Sequence, residues 1–273
     1  MSKFEILCVT MHQNDFSKVK EMNIHSDVVF ANQCDHTSYE EIVFEGHTAK
    51  MISTQTRGVG VNRNFALTYA SAKYCLLADD DVVYFDNLEE IVVSEFEAHQ
   101  DADIMIFHFN SDDLSRQQTK YYKTKMWHRY RNLPFGGVRI AFRLDSVKKA
   151  NVMFTTLFGG GCVFPSGEDS MFLSDLRKKG LKIYVSKETI GNVSFSTSTW
   201  FSGYDEKYYY GKGALYQAAR PKYKYVFMFY MIFRSRKMKN ISVKDKLIWM
   251  LNGMRGYREL LSYNQFKELY KLT

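Results

Sequence analysis

The sequence predicts an α/β sandwich with a mostly parallel central sheet. Up to residue 110, short apolar segments rich in β-branched residues alternate with helical segments, and the connections are short. Hydrophobic residues make up 45% of the 273 residues, which is enough for a sizeable core. With only three prolines and no low-complexity linker, we expect the chain to fold continuously.

Each predicted element follows from its local pattern. Apolar runs predict strands at 4–9, 27–32, 49–54, 74–78, 103–109 and 181–185. Helical spacing predicts helices at 15–22, 59–72 and 86–100, and a further helix that starts at Glu168 and Asp169. In the second helix one face carries Val61, Phe65, Tyr69 and Ala72, and in the third the core face carries Leu88, Ile91, Val92 and Phe96.

Charge and cysteine content limit the possible partners and location. The net charge of +7 favours anionic partners, but acidic residues cluster at 76–115, which opposes nucleic-acid binding. Four widely spaced cysteines, with no CxxC pair, predict reduced thiols in a cytoplasmic protein. The N-terminus lacks a signal-peptide pattern, and the longest apolar run, 225–233, is far shorter than the roughly 20 residues of a membrane span.

Three consecutive carboxylates, Asp79, Asp80 and Asp81, follow the predicted strand 74–78. In parallel sheets, ligands bind beyond the carboxyl ends of the strands. Clustered carboxylates at such a place suit a hard divalent cation, Mn²⁺ or Mg²⁺, together with substrate phosphates. A solvated acidic loop is the alternative interpretation.

The segment TRGVGVNRNFAL, which precedes these acids by one helix and one strand, is suited to binding phosphate. Arg57 and Arg63 can hold phosphate oxygens through forked hydrogen bonds. Gly58 allows the backbone to approach an anion at a helix start, where N–H groups are free. An ordinary loop turn explains the glycine equally simply.

Together these motifs resemble the family 2 glycosyltransferases of the GT-A fold. The resemblance covers roughly residues 4–200 and rests on four motifs in the family's order: CVTMHQND, GVGVNRN, LLADDDVVY and SGEDSMFLSDLRKKG. It implies a GT-A-like three-layer sandwich and an inverting sugar transfer from a nucleotide-sugar, with UDP-sugar favoured. It also implies a saccharide or lipid-linked acceptor in bacterial surface polysaccharide assembly.

The resemblance also assigns roles to residues. The nucleotide would contact Thr10, Met11, His12, Asn32 and Asp35, with either Asn32 or Asp35 recognising the base. The phosphates and the donor would lie near Arg57, Gly58, Arg63, Asp79 and Asp80. The metal ligand would be Asp81 or Asp80, the catalytic base Asp169, and the acceptor would contact Glu168 and Trp200.

We expect a catalytic domain at 1–205 and a helical, basic and aromatic extension at 206–273. This extension either lies on an anionic membrane, at the inner face of the plasma membrane, or packs as a buried helix with a basic rim. Tyr204 and Tyr208 to Tyr210 either stack on an acceptor or pack under a loop.

Two other functions stay open. One is a sugar nucleotidyltransferase, which is disfavoured because no Gly-rich phosphate loop follows the first strand. The other is a non-enzymatic anion- or membrane-binding protein.

Overall fold

The computed structural model describes residues 2–111, 121–127, 135–193, 203–236 and 241–271. The chain forms two compact units. The first consists of Met1–Thr155 and Asp169–Ser198, and the second of Thr156–Glu168 and Thr199–Thr273. The predicted α/β class is confirmed, because the first unit is built on one large sheet with helices packed against it.

The sheet contains ten strands among the described residues. They are β1 (Phe4–Met11), β2 (Asp27–Gln33), β3 (Ser38–Phe44), β4 (His47–Thr54), β5 (Tyr74–Asp79), β6 (Val82–Tyr84), β7 (Ile104–Ser111), β8 (Lys125–Met126), β9 (Ile140–Arg143) and β10 (Ile183–Val193). Their order is β3-β4-β2-β1-β5-β9-β7-β10-β6, and β8 pairs with β10.

β7 and β10 pair in parallel, and the larger parallel part of the sheet is the run β4-β2-β1-β5. Beyond it, β9 is antiparallel to both β5 and β7, so the sheet is mixed. In the parallel run Thr10 pairs with Asn32, Asn32 with Ser53, and Val9 with Asp79. The carboxyl ends of these four strands therefore lie side by side, and the loops that follow them share one edge.

Five α-helices of the described chain lie in the first unit, apart from Glu168, the first residue of α5. They are α1 (Ser17–Glu21), α2 (Val59–Tyr69), α3 (Leu88–Ala98), α4 (Leu144–Ala150) and α5 (Glu168–Lys178). The predicted core face of α3 is confirmed, since Leu88, Val92 and Phe96 are buried and Ile91 packs against the core.

Helix α2 does not bury the face that its apolar spacing suggests. Val61 and Phe65 are half-buried, Tyr69 is exposed, and Ala72 lies beyond the end of the helix. The buried positions are Gly60, Asn62, Arg63, Ala66 and Leu67. Asn62 and Arg63 on this face make polar contacts with β2 and with Asp79 at the end of β5.

A β-hairpin precedes α2 and was not predicted. β3 and β4 are antiparallel, and the two residues between them, Glu45 and Gly46, have φ of 46° and 84°. Two positive φ values are typical of the tight hairpin turn whose twist matches the flanking strands. The predicted third strand is thus the second arm of this hairpin.

The second unit contains four helices in its described residues. They are α6 (Glu206–Ala219), α7 (Lys224–Arg234), α8 (Val243–Glu259) and α9 (Tyr263–Leu269). α6 and α8 approach so closely that a Cβ atom on Gly213 would overlap the backbone of Met250. Tyr209 and Tyr210 are fully buried in this unit, so these two tyrosines pack in a core. No helix in the described part of the chain is long and apolar enough to cross a bilayer.

Candidate active site

The acid triplet lies at the shared edge of the parallel strands. Asp79 is the last residue of β5, and Asp80 and Asp81 form the turn before β6. Asp80 accepts a hydrogen bond from the Thr10 hydroxyl at the end of β1, and Lys18 Nζ donates to the Asp80 carbonyl oxygen at 3.3 Å. Because the strand register sets β1 against β5, Thr10 and Asp80 meet although they are far apart in sequence.

Asp81 is exposed to solvent. Neighbouring protein atoms nonetheless desolvate the carboxyl group, and Asp79 and Asp80 repel its charge, so that the pKa of Asp81 rises to about 6. A cation bound beside these groups would relieve the repulsion. Carboxylate oxygens are the donors that Mg²⁺ and Mn²⁺ prefer, so the residues present fit such an ion.

Arg63 joins the triplet to the predicted catalytic base. Its side chain is only 3% exposed; Nη1 donates to Asp169 Oδ1, and Nη2 donates to Asp79 Oδ1 at 3.1 Å. The guanidinium carbon also lies 5.5 Å from the centre of the Phe154 ring. The structure therefore places Arg63 between two carboxylates, and its predicted contact with a phosphate stays a prediction.

Asp169 is held from a second side. Its Oδ2 accepts a hydrogen bond of 2.8 Å from the backbone N–H of Gly137, in a turn of 3₁₀ helix at Gly137–Arg139. A Cβ atom on Gly137 would overlap the Arg63 guanidinium, so this position has no room for a side chain. Gly137 was not among the predicted site residues, and nothing in its local sequence distinguishes it from Gly136.

The start of α2 fixes the position of Arg63. Gly58, the N-cap residue just before the helix, has a φ of 108°, and a Cβ on Gly60 would overlap the Thr155 carbonyl. Asn62 Nδ2 donates to the carbonyl of Ala31 at 2.6 Å, which ties the helix to the end of β2. The neighbouring Asn64 exchanges two hydrogen bonds with the backbone of Phe154, 3.0 Å and 2.8 Å long.

The predicted nucleotide loop follows β1. Met11 and His12 are exposed, and His12 has a φ of 55°. Asn32 is completely buried; its side chain accepts from Gln13 N at 3.0 Å and donates to Gln13 O at 2.9 Å and Ser53 Oγ at 3.0 Å. These three hydrogen bonds hold the loop in place.

Asp35 and Arg57 lie together beyond the end of β2. Asp35 is exposed, and its Oδ1 lies 3.0 Å from His36 Nδ1. Hydrogen bonding from His36 lowers the pKa of Asp35. Arg57 Nη1 donates to the Cys34 carbonyl at 3.1 Å, which holds the exposed guanidinium over this turn.

Ligand atoms of Cys34, Asp35 and His36 lie within 4.8 Å of one another. These residues are consecutive, and two of them are exposed, so their proximity follows from the chain itself.

Of the two predicted acceptor contacts, Glu168 belongs to the second unit, where its Oε2 accepts from Gly167 N at 3.0 Å. Trp200 lies outside the described residues.

A family model described as glycosyl transferase family 2 matches residues 24–151. The match includes β2, α2 and the acid triplet. The predicted resemblance is confirmed over these residues, and the protein is a glycosyltransferase. Asp169 and the loop after β1 lie outside the matched segment.

Solved structures similar to the glycosyltransferase include three of S. aureus TarS. The crystal structure of TarS 1–349 shares 13% sequence identity, with 96% of this chain and 93% of that chain covered and a TM-score of 0.57. The complex of TarS 1–349 with UDP-GlcNAc has the same identity and coverage and a TM-score of 0.58. The complex with UDP is 14% identical, with coverage of 92% and 80% and a TM-score of 0.57.

At these identities the similarity to TarS establishes a shared fold. A comparison of the glycosyltransferase with curated proteins finds no match.

Proposed function

We propose that this glycosyltransferase is a metal-dependent, inverting enzyme that moves a sugar from a nucleotide-sugar to an acceptor hydroxyl. The observation that carries the proposal is the Arg63 guanidinium, which binds both Asp79 of the triplet and Asp169 of α5. Arg63 therefore bridges Asp169, a carboxylate suited to remove a proton, and the acid triplet, whose carboxylates are suited to hold the donor.

Asp169 is the general base of the proposed reaction. It removes the proton of the acceptor hydroxyl while that oxygen attacks the anomeric carbon of the sugar. The bond from the anomeric carbon to the diphosphate oxygen breaks, and its electron pair leaves with the diphosphate. Attack from the face opposite the leaving group inverts the configuration in this single displacement.

The contacts of Asp169 fit this role. Each carboxylate oxygen has two lone pairs, and Arg63 and Gly137 N take one on each oxygen. The side chain is 16% exposed, so one lone pair can reach a hydroxyl from solvent. Two fixed contacts orient the carboxylate before the acceptor arrives, which is how positioned bases contribute to rate.

Asp81 and Asp80 are the proposed ligands of the metal, Mn²⁺ or Mg²⁺. When bound, the cation offsets the negative charge that develops on the leaving diphosphate. Thr10 orients Asp80 by its hydrogen bond, and Arg57 offers further N–H donors to the diphosphate from the exposed rim.

The proposed donor is a UDP-sugar. TarS, which shares the fold, has crystal structures with UDP-GlcNAc and with UDP. The buried Asn32 holds the loop after β1, which leaves the exposed Asp35 as the group that recognises the base. A carboxylate accepts a hydrogen bond from the uracil N3–H.

The proposed acceptor is a saccharide or a lipid-linked saccharide, and the proposed setting is surface polysaccharide synthesis, such as a capsule, at the inner face of the plasma membrane. The basic and aromatic helices of the second unit support a membrane setting.

Release of UDP from UDP-sugars, measured with and without Mn²⁺, tests the proposed donor and metal. We expect UDP release that depends on Mn²⁺ and that falls at least tenfold in Asp81→Ala. Asp101→Ala, which removes an exposed carboxylate paired with Lys182, is the control. Release that is unchanged by Mn²⁺, or equal in the two variants, would contradict the metal assignment.

A further inference from the structure

Helix α7 has one buried face and one unusually apolar exposed face. Met228 and Ile232 pack inward. On the other side five large side chains are between 50% and 66% exposed: Tyr225, Val226, Phe229, Tyr230 and Phe233. Their spacing of one, three, one and three residues places all five on a single stripe of the helix, which we call the α7 apolar face.

Basic residues flank the α7 apolar face. Lys222, Arg234 and Arg236 are exposed, and the Arg236 guanidinium carbon lies 4.3 Å from the centre of the Phe233 ring. The sequence from Lys207 to Lys244 contains no aspartate or glutamate. Apolar area and positive charge are therefore adjacent, and no acidic residue of this segment offsets that charge.

This combination indicates what covers the face. A second copy of the chain, docked through the same face, would bring the two basic rims together, and like charges repel. An anionic lipid surface instead complements both features, because its phosphates attract the arginines and its acyl region accepts the aromatic rings. α7 has 11 residues, about 16 Å at 1.5 Å per residue, so it can lie in the interface but cannot cross the bilayer.

We propose that the α7 apolar face inserts into the headgroup region of an anionic lipid membrane, with Lys222, Arg234 and Arg236 at the lipid phosphates. The inference deepens the proposed function, on which it rests for its setting, because it names the surface that brings the enzyme to a lipid-linked acceptor. The physical argument depends on the second unit alone.

Vesicle co-sedimentation tests the apolar part of the proposal. We expect the full chain to bind vesicles of phosphatidylglycerol and phosphatidylcholine in equal parts at least tenfold more tightly than vesicles of phosphatidylcholine alone. The double variant Phe229→Ser/Phe233→Ser should lose at least tenfold in binding to the anionic vesicles. A matched control, Val43→Ser/Met153→Ser, removes two exposed apolar side chains of the first unit and should bind like the wild type.

The charged part of the proposal has its own variants. Arg234→Gln/Arg236→Gln should weaken binding to the anionic vesicles about fivefold for each arginine removed, and added salt should reduce the difference. Lys149→Gln/Lys179→Gln, which removes two exposed lysines of the first unit, should change binding less than twofold.

Two results would overturn the proposal. One is wild-type binding to anionic vesicles by Phe229→Ser/Phe233→Ser when its thermal unfolding is unchanged. The other is a wild-type dimer that this variant converts to a monomer, with no vesicle binding by either. UDP release without lipid, measured on the same samples, separates the two claims: its absence in the wild type would reject the proposed function and leave the vesicle result standing.

Discussion

The Arg63 guanidinium holds Asp79 on one terminal nitrogen and Asp169 on the other. Asp79 lies 16 residues beyond Arg63, and Asp169 lies 106 residues beyond it. Two acidic motifs that are remote in sequence thus pair with the same buried guanidinium, that of Arg63. The proposed mechanism depends on this relationship, because it sets the base beside the donor-binding carboxylates.

Gly137→Ala should disturb this arrangement without removing any charged group. The new Cβ would overlap the Arg63 guanidinium, which is buried and cannot move aside freely. We expect a loss of about 1–3 kcal/mol in the free energy of unfolding, as is typical of overpacking, and a fall in kcat of at least tenfold.

Gly136→Ala is the matched control. A Cβ at Gly136 meets no atom within 4 Å, and its φ of −78° suits any residue. Urea unfolding and UDP release should both be close to the wild type in this variant. Equal effects of the two substitutions would show that the contact between Gly137 and Arg63 is unimportant.

Arg63→Met should destabilise the first unit. The substitution removes the cation that pairs with the Asp169 carboxylate, whose side chain is only 16% exposed. Removing one partner of a buried ion pair lowers the free energy of unfolding by about 3 kcal/mol. Asp79 is 43% exposed, so its lost partner adds little. Chemical denaturation measures the difference in the free energy of unfolding.

Two further variants show whether that loss of stability comes from the ion pair between Arg63 and Asp169. Arg57→Met removes an exposed arginine and should change stability by less than about 0.5 kcal/mol. Arg63→Met/Asp169→Asn should lose less stability than the two single variants added together, because they act on the same pair. Strict additivity would mean that the ion pair does not contribute.

Asp35→Ala should weaken UDP binding about tenfold, the effect of losing one hydrogen bond to a charged group. The same substitution should leave CDP binding nearly unchanged, because neutral cytosine has no hydrogen on N3. Glu40→Gln, at an exposed position in β3, is the control. Calorimetric titration with both nucleotides measures the effect, and equal losses for UDP and CDP would remove Asp35 from base recognition.

Binding of Mn²⁺ should depend on pH through Asp81. The pKa of Asp81 in the metal-free protein is raised to about 6, so above that pH the carboxylate is charged and ready to bind. Below it a proton must first leave, and the apparent affinity should fall by up to tenfold per pH unit. Titration of Mn²⁺ at about pH 7 and about pH 5 measures this loss, and Asp81→Asn should abolish the difference. Equal wild-type affinity at the two pH values would contradict the assignment.

The sequence predicted the parallel core and the acid triplet because both have strong local signals. Short β-branched runs identified β1, β2, β4 and β5, and their parallel pairing places Asp79 at the ligand-binding edge. The hairpin arm β3 was missed because most of its residues are exposed and two are charged, although Glu45–Gly46 between two β-prone runs is a recognisable turn signal.

Other features had no local signal. β9 enters the sheet between β5 and β7 in antiparallel direction, a pairing decided by long-range packing. The inward face of α2 carries Asn62 and Arg63 because a sheet carbonyl accepts from Asn62 and two carboxylates pair with Arg63, and hydrophobic spacing does not report such partners. For the same reason Arg63 was predicted at a phosphate, and its place between Asp79 and Asp169 emerged only from the fold.

Asp169→Asn tests the central claim most directly. The substitution keeps the shape of the side chain and removes its ability to accept a proton, so transfer to the acceptor should fall at least 100-fold while the Kd for UDP stays within about twofold. Asp175→Asn, on the exposed part of the same helix, should transfer sugar like the wild type. Wild-type transfer by Asp169→Asn would contradict the account, because the base would then lie elsewhere.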